Sequence, residues 1–286
     1  MSYLPALNPL FATTTPGTYC GQWFSKLFFL LNLSLLLSSC VAPPQKPFDL
    51  GRWDQDKIEH LQSEAEGIAP PGEKIALISA AFLQTPYQAQ TLIGSAATAE
   101  IFVLRLDGVD CFTYLDYVEA LRRSSSFAEF KEILQQVRYD RGTVTFLNRH
   151  HFFSSWGNAP LAPLRDITSQ VGGIHTRWEE KQLNQKTDGT LYLPGYPVRK
   201  QTIAFIPPAA IDKTILDHLQ SGDYIGIYSP LPGLDVSHTG IIIRKKGKIY
   251  LRHASTKPLR QQVMDEELLP YLGGRKGLII YRPVAE

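Results

Sequence analysis

The sequence has few cysteines and no marked excess of charge of either sign. Only three of its 286 residues are cysteine, and 29 basic side chains against 27 acidic ones give a formal net charge of +2. So few cysteines exclude a disulfide framework, and the hydrophobic core of the folded domain has to supply its stability. No basic block is interleaved with aromatic residues, which argues against nucleic acid as a partner.

Long apolar runs are also scarce, and the longest follows Lys26 and covers residues 27–37. A short apolar run with a positive flank and small residues behind it is typical of a secretory signal rather than of a membrane span. We therefore expect residues 1–39 to be a signal peptide.

The end of this segment, Leu37-Ser38-Ser39-Cys40, resembles the bacterial lipobox. The resemblance implies a lipoprotein in which Cys40 becomes the lipidated N-terminus, with residues 40–50 forming that terminus and a linker. An ordinary signal peptide that happens to end in cysteine is the alternative. In either case we expect an exported protein, and the lipobox implies an outer-membrane lipoprotein that faces the periplasm.

Removal of Cys20 and acylation of Cys40 would leave Cys111 as a thiol without a disulfide partner. In an exported protein such a thiol is open to oxidation. Reactivity therefore explains the presence of Cys111 more easily than packing does, although a buried cysteine that acts as a small hydrophobe is the alternative.

Asp110 precedes this cysteine as a helix cap, and Tyr114, Val118 and Leu121 follow it at helical spacing. A cysteine in the first turn of a helix faces unpaired backbone N–H groups and the positive end of the helix dipole. Both stabilise the thiolate, so we expect Cys111 to be a nucleophile with a lowered thiol pKa.

Hydrophobic periodicity divides the remaining chain into helices followed by strands. Helices are predicted over residues 54–66, 73–83, 111–121 and 126–137. Residues 142–195 show no sustained period and are expected to form a long elaboration that shapes a cleft. Strands are predicted over residues 202–206, 224–228, 239–243, 249–252 and 277–281. This order predicts one α+β domain, residues 51–286, with helices packed on an antiparallel sheet.

His238 and His253 flank a predicted hairpin whose turn contains Lys246 and Gly247. A turn of two or four residues would place His253 opposite Gly240, and the two histidines would be diagonal neighbours about 7–8 Å apart on one face. A three-residue turn would place them on opposite faces. In the first register His238 can act as a base while His253 holds its ring and stabilises the imidazolium. The alternative is a polar strand residue that only satisfies a neighbour.

Several motifs resemble those of the NlpC-type, papain-like hydrolases of bacterial cell walls: Thr85-Pro86-Tyr87, Asp110-Cys111, Gly222-Asp223, Ser237-His238-Thr239-Gly240-Ile241 and Arg252-His253-Ala254-Ser255. The fuller pattern is similar to the N-acetylmuramoyl-L-alanine amidase-like branch, formerly a domain of unknown function. The residues that suggest this branch are Asp110-Cys111, Arg138-Tyr139, Arg149, His151, Trp156, the segment 233–238 and His253-Ala254-Ser255.

The resemblance implies a papain-like fold and a catalytic triad of Cys111, His238 and His253. Cys111 would attack an amide carbonyl, His238 would take and return the proton, and His253 would orient His238. The resemblance also implies an oxyanion hole formed by the backbone N–H of Cys111 and the hydroxyl of Tyr87.

Five further residues complete the predicted site. Asp110 and Ser237 adjoin the triad within the matched motifs. Arg149 and His151 are candidates for grasping the carboxylates of a peptidoglycan stem, because arginine offers a planar fork to a carboxylate. Trp156 is a candidate for stacking on a sugar. A solvated loop cation and an aromatic core residue are the respective alternatives.

The leading hypothesis is an N-acetylmuramoyl-L-alanine amidase that acts on peptidoglycan fragments, such as anhydro-muropeptides, through a thioacyl intermediate. The same triad would serve a peptidase that cuts after γ-D-glutamate within the stem peptide. Two further alternatives are a non-catalytic, lipid-anchored module that binds muropeptides and a zinc site at Cys111, His238 and His253. We expect no cofactor and no metal. The expected partners are muropeptides and, through the lipid anchor, the membrane.

Overall fold

The computed structural model describes residues 46–159 and 163–285. The predicted signal peptide, residues 1–39, and the predicted lipidation site, Cys40, lie outside the described residues. Within the described ranges no helix combines the length and the apolar character that a membrane crossing requires.

The four longest helices precede the main sheet in this part of the chain, as the periodicity predicts. The α-helices of the described residues are α1 Gln55–Ala65, α2 Pro71–Ala80, α3 Cys111–Arg122, α4 Phe127–Arg138, α5 Phe153–Gly157, α6 Thr168–Gly172, α7 Lys213–His218 and α8 Leu268–Leu272. The strands are β1 Phe48–Asp49, β2 Leu104–Arg105, β3 Leu164–Asp166, β4 Arg177–Leu183, β5 Arg199–Phe205, β6 Tyr224–Tyr228, β7 Val236–Lys245, β8 Lys248–Ala254, β9 Val263–Glu267 and β10 Leu278–Pro283.

The four predicted helices correspond to α1–α4, and the five predicted strands correspond to β5, β6, β7, β8 and β10. The expected elaboration over residues 142–195 contains more regular structure than its sequence indicates. It includes α5, α6 and β4, and β4 pairs with β5 along seven residues of each strand.

Six strands form one antiparallel sheet in the order β3-β10-β6-β7-β8-β9. Together with the helices this sheet gives the predicted α+β architecture. The pair β4 and β5 is a separate antiparallel ribbon, and β1 and β2 form a short parallel pair.

Both faces of the six-stranded sheet are covered. Tyr224 and Ile241 belong to a core shared with α1–α4, whereas Ile225 and Ile242 belong to a second core that includes Leu268 of α8. Side chains alternate between faces along a strand, so every residue of β6 is buried.

The turn between β7 and β8 has two residues, because Lys245 pairs with Lys248. The intervening Lys246 and Gly247 have φ angles of 52° and 74°, as a type I′ turn requires. The ladder runs as far as Ile241 opposite Arg252, and its continuation places His253 opposite Gly240. The register that puts His238 and His253 on one face is therefore confirmed.

Two glycine substitutions separate steric crowding from backbone strain in this hairpin. A Cβ at Gly240 would lie 2.7 Å from the Leu251 side chain and 2.9 Å from the carbonyl oxygen of Arg252, whereas a Cβ at Gly247 would meet nothing within 4 Å. We expect Gly240→Ala to lower the free energy of unfolding by about 2–3 kcal/mol. Gly247→Ala should lower it by about 1 kcal/mol, because only its positive φ is strained. Urea titration measures both values, and a larger loss for Gly247→Ala would contradict this packing.

Candidate active site

Cys111 occupies the first position of α3, and Asp110 caps that helix. The Asp110 carboxylate accepts hydrogen bonds from the backbone N–H groups of Phe112 at 2.9 Å and Thr113 at 2.7 Å. The Thr113 hydroxyl accepts from the Asp110 N–H at 3.0 Å, which completes a capping box. In the described part of the chain no other residue accepts from the Cys111 N–H. This N–H is therefore available to a ligand.

The Cys111 thiol is half-buried, and no other free cysteine occurs among residues 46–159 and 163–285. Burial raises the pKa of this thiol to about 12, and repulsion from the Asp110 carboxylate adds to the rise. Hydrogen bonds from Thr239 act in the opposite direction without offsetting it. The expectation of a lowered thiol pKa is therefore wrong for the free protein, in which the thiol is protonated at neutral pH.

His238 and His253 lie in direct contact. His238 Nε2 is 2.7 Å from His253 Nδ1, and the two rings are nearly perpendicular, with their centroids 4.9 Å apart. Both side chains are buried, with exposed fractions of 9% for His238 and 2% for His253. The structure thus brings together the two histidines that the hairpin pattern pairs.

Both rings are neutral at pH 7. Burial lowers the pKa of His238 to about 3, and the neighbouring His253 and Arg275 contribute to the same shift. Burial also lowers the pKa of His253, although Glu266 partly opposes this effect. A neutral imidazole has one N–H and one lone pair, so each ring offers one donor and one acceptor.

Thr239 and Tyr271 connect the cysteine with the histidine pair. The Thr239 hydroxyl donates to the carbonyl oxygen of Cys111 at 2.6 Å, which fixes the start of α3 beside the residue that follows His238. The Tyr271 ring packs against both imidazoles, with centroid distances of 6.2 Å to His238 and 5.0 Å to His253. Burial chiefly raises the pKa of the Tyr271 phenol to about 12, and the Cys111 thiol contributes to the rise.

No hydrogen bond joins the Cys111 thiol to His238 within the described ranges. Catalytic hydrogen bonds are often long in ligand-free enzymes and tighten in the substrate complex. The arrangement therefore consists of a neutral thiol and a neutral histidine pair that are positioned by separate elements of one sheet-and-helix scaffold.

Tyr87 lies beside the residues that lead into α3. It forms a parallel bridge with Val109, and its N–H donates to the carbonyl of Gln261 at 2.9 Å. Burial raises the pKa of the Tyr87 phenol to about 12, and Cys111 and Asp110 add to the rise. The hydroxyl therefore keeps its proton near the thiol at neutral pH.

Three other predicted site residues use their polar atoms within the protein. The Ser237 hydroxyl donates to the carbonyl of Ile227 at 3.3 Å, although the residue is exposed. Arg149 donates to Glu100 at 2.8 Å and lines a cavity of about 310 Å³. His151 Nε2 lies 2.7 Å from the carbonyl oxygen of Phe146, and burial lowers its pKa to about 4. A substrate-grasping role for Arg149 and His151 stays a prediction.

Trp156 lies in the core rather than in an open cleft. It is 2% exposed, and its ring packs against Phe112, Phe153 and Tyr224 at centroid distances of 6.1, 6.0 and 5.1 Å. The proposed stacking of Trp156 on a sugar is therefore corrected, because protein side chains surround this ring.

The sequence pattern misses Glu266, which lies 2.9 Å from His253. The signal is present but weak, because Glu266 is one of three consecutive acidic residues at the end of the strand Val263–Glu267, and only the pairing of this strand with β8 reveals which face Glu266 occupies. Among the described residues no group of three or more histidine, cysteine and carboxylate side chains is arranged to hold a metal ion.

The depressed pKa of His238 predicts how acid affects stability. As the pH falls from 6.5 toward 3, the unfolded chain takes up a proton at this position and the folded chain does not, so the free energy of unfolding decreases. Between pH 7 and pH 4.5 this decrease should be about 2 kcal/mol smaller for His238→Gln than for the wild type. Chemical denaturation at the two pH values measures it, and an equal decrease in both proteins would contradict a neutral buried ring.

Solved structures share this fold. A protein from Legionella pneumophila str. Philadelphia 1 superimposes with a TM-score of 0.69 and 24% sequence identity, covering 81% of this chain and 95% of that one. An N-acetylmuramoyl-L-alanine amidase from Bacteroides uniformis ATCC 8492 gives a TM-score of 0.64 and 25% identity, covering 75% of this chain and 99% of that one.

A protein-family comparison extends this likeness to the sequence. No match was found among curated proteins. The model of the AmiA-like family, described as N-acetylmuramoyl-L-alanine amidase-like, matches residues 77–278. This range covers most of the chain and includes Cys111, His238 and His253. The chain therefore belongs to the AmiA-like, N-acetylmuramoyl-L-alanine amidase-like family.

Proposed function

We propose that this protein is a cysteine-dependent hydrolase of peptidoglycan fragments, which cleaves the amide bond between N-acetylmuramic acid and L-alanine. Membership of the amidase-like family supports the reaction class. The observation that carries the cysteine mechanism is the 2.7 Å contact between His238 and His253, because the residue after His238, Thr239, donates a hydrogen bond to the carbonyl oxygen of Cys111. The resemblance of the motifs to NlpC-type, papain-like hydrolases supports the same chemistry.

The first step forms a bond between Cys111 Sγ and the lactyl carbonyl carbon of the muramic acid. The thiol proton passes to His238, whose neutral ring has a free lone pair. Because the thiol pKa is about 12 and the His238 pKa is about 3, a free ion pair is unfavourable in the resting site. Proton transfer therefore accompanies the attack and depends on stabilisation of the developing oxyanion.

Two donors are suited to that oxyanion. Within residues 46–159 and 163–285 no other residue accepts a hydrogen bond from the Cys111 N–H. The Tyr87 hydroxyl retains its proton at neutral pH. Removal of one such donor from an acyl-transfer site commonly costs a factor of about 100–1,000 in kcat.

Collapse of the tetrahedral intermediate breaks the carbon–nitrogen bond. The imidazolium of His238 gives its proton to the leaving amine of L-alanine, and the muramoyl lactyl group remains as a thioester on Cys111. A water molecule then loses a proton to His238, and its oxygen bonds to the thioester carbon. Collapse of this second tetrahedral intermediate breaks the carbon–sulfur bond, releases the muramoyl lactyl carboxylic acid, and returns the proton from His238 to Cys111 Sγ.

We also propose that the protein is exported and carries a lipid on Cys40, as an outer-membrane lipoprotein that faces the periplasm. The apolar run and the lipobox-like Leu37-Ser38-Ser39-Cys40 support this location. The lipid would hold the catalytic domain close to the layer in which muropeptides are released.

Substitution of the cysteine tests the reaction. We expect the wild type to release free stem peptide and anhydro-sugar from anhydro-muropeptides, and Cys111→Ser to be slower by at least about 1,000-fold. Mass spectrometry of the products identifies the bond, with intact sacculi as a second substrate. His238→Gln should also lose activity, because it removes the proposed base, and His60→Gln is its matched control, since His60 is exposed and its Nε2 lies 3.4 Å from Glu64 on its own helix.

Product masses discriminate between the alternatives. A cut within the stem peptide would replace the amidase by the γ-D-glutamyl peptidase. An absence of product from both substrates would favour a non-catalytic, lipid-anchored muropeptide-binding module. Full activity of Cys111→Ser would remove the cysteine mechanism.

Lipidation has its own test. In cells grown with radiolabelled palmitate we expect the full chain to carry label and to fractionate with the outer membrane. Cys40→Ser should lose the label, whereas Cys20→Ser should retain it. Label that persists in Cys40→Ser would contradict acylation at this position.

A further inference from the structure

Glu266 ends a diagonal line of polar side chains that crosses three strands. His253 on β8 pairs with Met264 on β9, so Glu266 lies two residues further along the same face of β9. His253 Nε2 is 2.9 Å from Glu266 Oε1, while His253 Nδ1 is 2.7 Å from His238 Nε2. The His253 ring therefore bridges a carboxylate and the second imidazole.

The charges around this line keep Glu266 ionised. Its second carboxylate oxygen accepts a hydrogen bond from the Lys257 ammonium. Burial would raise the pKa of Glu266, but the hydrogen bonds from Lys257 and His253 hold it below its usual value. An ionised carboxylate has no proton to donate and acts only as an acceptor.

The remaining groups around the pair disfavour an imidazolium. The Tyr271 ring covers His253 at a centroid distance of 5.0 Å, and the Arg275 guanidinium lies 4.8 Å from the Tyr271 centroid. Arg275 and Lys257 are both cations, and both lower the pKa of His253. The His253 side chain, which is 2% exposed, therefore stays neutral and exchanges hydrogen bonds with protein atoms rather than with solvent.

These contacts determine where each proton lies. Because Glu266 only accepts, the proton of neutral His253 has to be on Nε2, which leaves the lone pair on Nδ1. His253 Nδ1 then accepts from His238 Nε2–H across the 2.7 Å contact. A neutral His238 with its proton on Nε2 has its lone pair on Nδ1.

We propose that Glu266 is a positioning residue that fixes the tautomers of both histidines and makes Nδ1 of His238 the base for Cys111. Without this acceptor, His253 can carry its proton on Nδ1 and donate it to His238 Nε2, which would move the His238 proton to Nδ1 and remove the base. The role of Nδ1 as the base rests on the cysteine mechanism proposed above.

The tautomers are measured by the ¹⁵N chemical shifts of the ring nitrogens in the full chain at pH 7.5. In the wild type both histidines should show the proton on Nε2. Glu266→Ala should move it to Nδ1 in both rings. Glu266→Gln should keep the wild-type tautomers, because the amide oxygen can still accept from His253, and this variant separates hydrogen-bond acceptance from charge.

Glu267→Gln is the matched control. Glu267 is the next residue on β9, points away from His253 and pairs with Lys248 at 2.5 Å on the surface. This variant removes one carboxylate from the same strand without touching the diagonal line. It should leave the ring shifts unchanged.

A second readout follows the thiol itself. Alkylation of Cys111 by iodoacetamide at pH 7.5 should be at least 10-fold slower in Glu266→Ala than in the wild type. It should change less than threefold in Glu266→Gln and Glu267→Gln. Urea unfolding of each variant shows whether the alkylation rates refer to folded protein.

Two results would overturn the proposal. One is a wild-type His253 with its proton on Nδ1, which needs no variant and stands even if Glu266→Ala does not fold. The other is a folded Glu266→Ala that retains both Nε2 protons.

Neither measurement uses a muropeptide, so the amidase proposal and the proposal for Glu266 can be tested independently. Correct tautomers without product release would overturn the amidase and the role of Nδ1 as a base, and would leave the tautomer assignment for Glu266 standing. Product release together with a His238 proton on Nδ1 would overturn the assignment for Glu266 alone.

Discussion

The two-residue turn at Lys246 and Gly247 sets the register on which the candidate site depends. Side chains alternate between the faces of a sheet, so one residue more or fewer in this turn would place His253 on the face opposite to His238. The observed register instead aligns His238 and His253 with the core around α8. The two rings can therefore touch because the turn has two residues, whatever the chemistry of the side chains.

The cysteine is subject to opposing physical effects. A position at the start of a helix favours the thiolate, whereas burial and the capping carboxylate of Asp110 favour the thiol. Because the cap that orders the helix is itself an anion, the device that positions Cys111 also restrains its ionisation. The thiol and both imidazoles are therefore uncharged in the ligand-free protein, and in the proposed mechanism the thiol loses its proton only as it attacks the substrate.

The sequence predicts local features of this protein better than its long-range contacts. The cap of α3 and the hairpin register follow from spacing, because both depend on residues that are close in the chain. The pairing of Arg149 with Glu100 joins residues 49 positions apart, and no hydrophobic periodicity in the sequence predicts it. The environment of Trp156 and the burial that raises the thiol pKa are likewise products of tertiary packing, which alternation and motif order do not encode.

Adjacent positions of β8 and β9 carry polar pairs on opposite faces: the ion pair of Arg252 with Asp265 toward α2, and the hydrogen bond of neutral His253 with Glu266 toward α8. Because both partners on β9 are acids, a strand shifted by one residue would still offer a carboxylate to each base. Val263, which is 1% exposed in the core shared with α1–α4, would leave its place in such a shift. The two polar pairs therefore do not by themselves distinguish the observed register of β9 from one shifted by a single residue, whereas the burial of an apolar side chain outside the candidate site does.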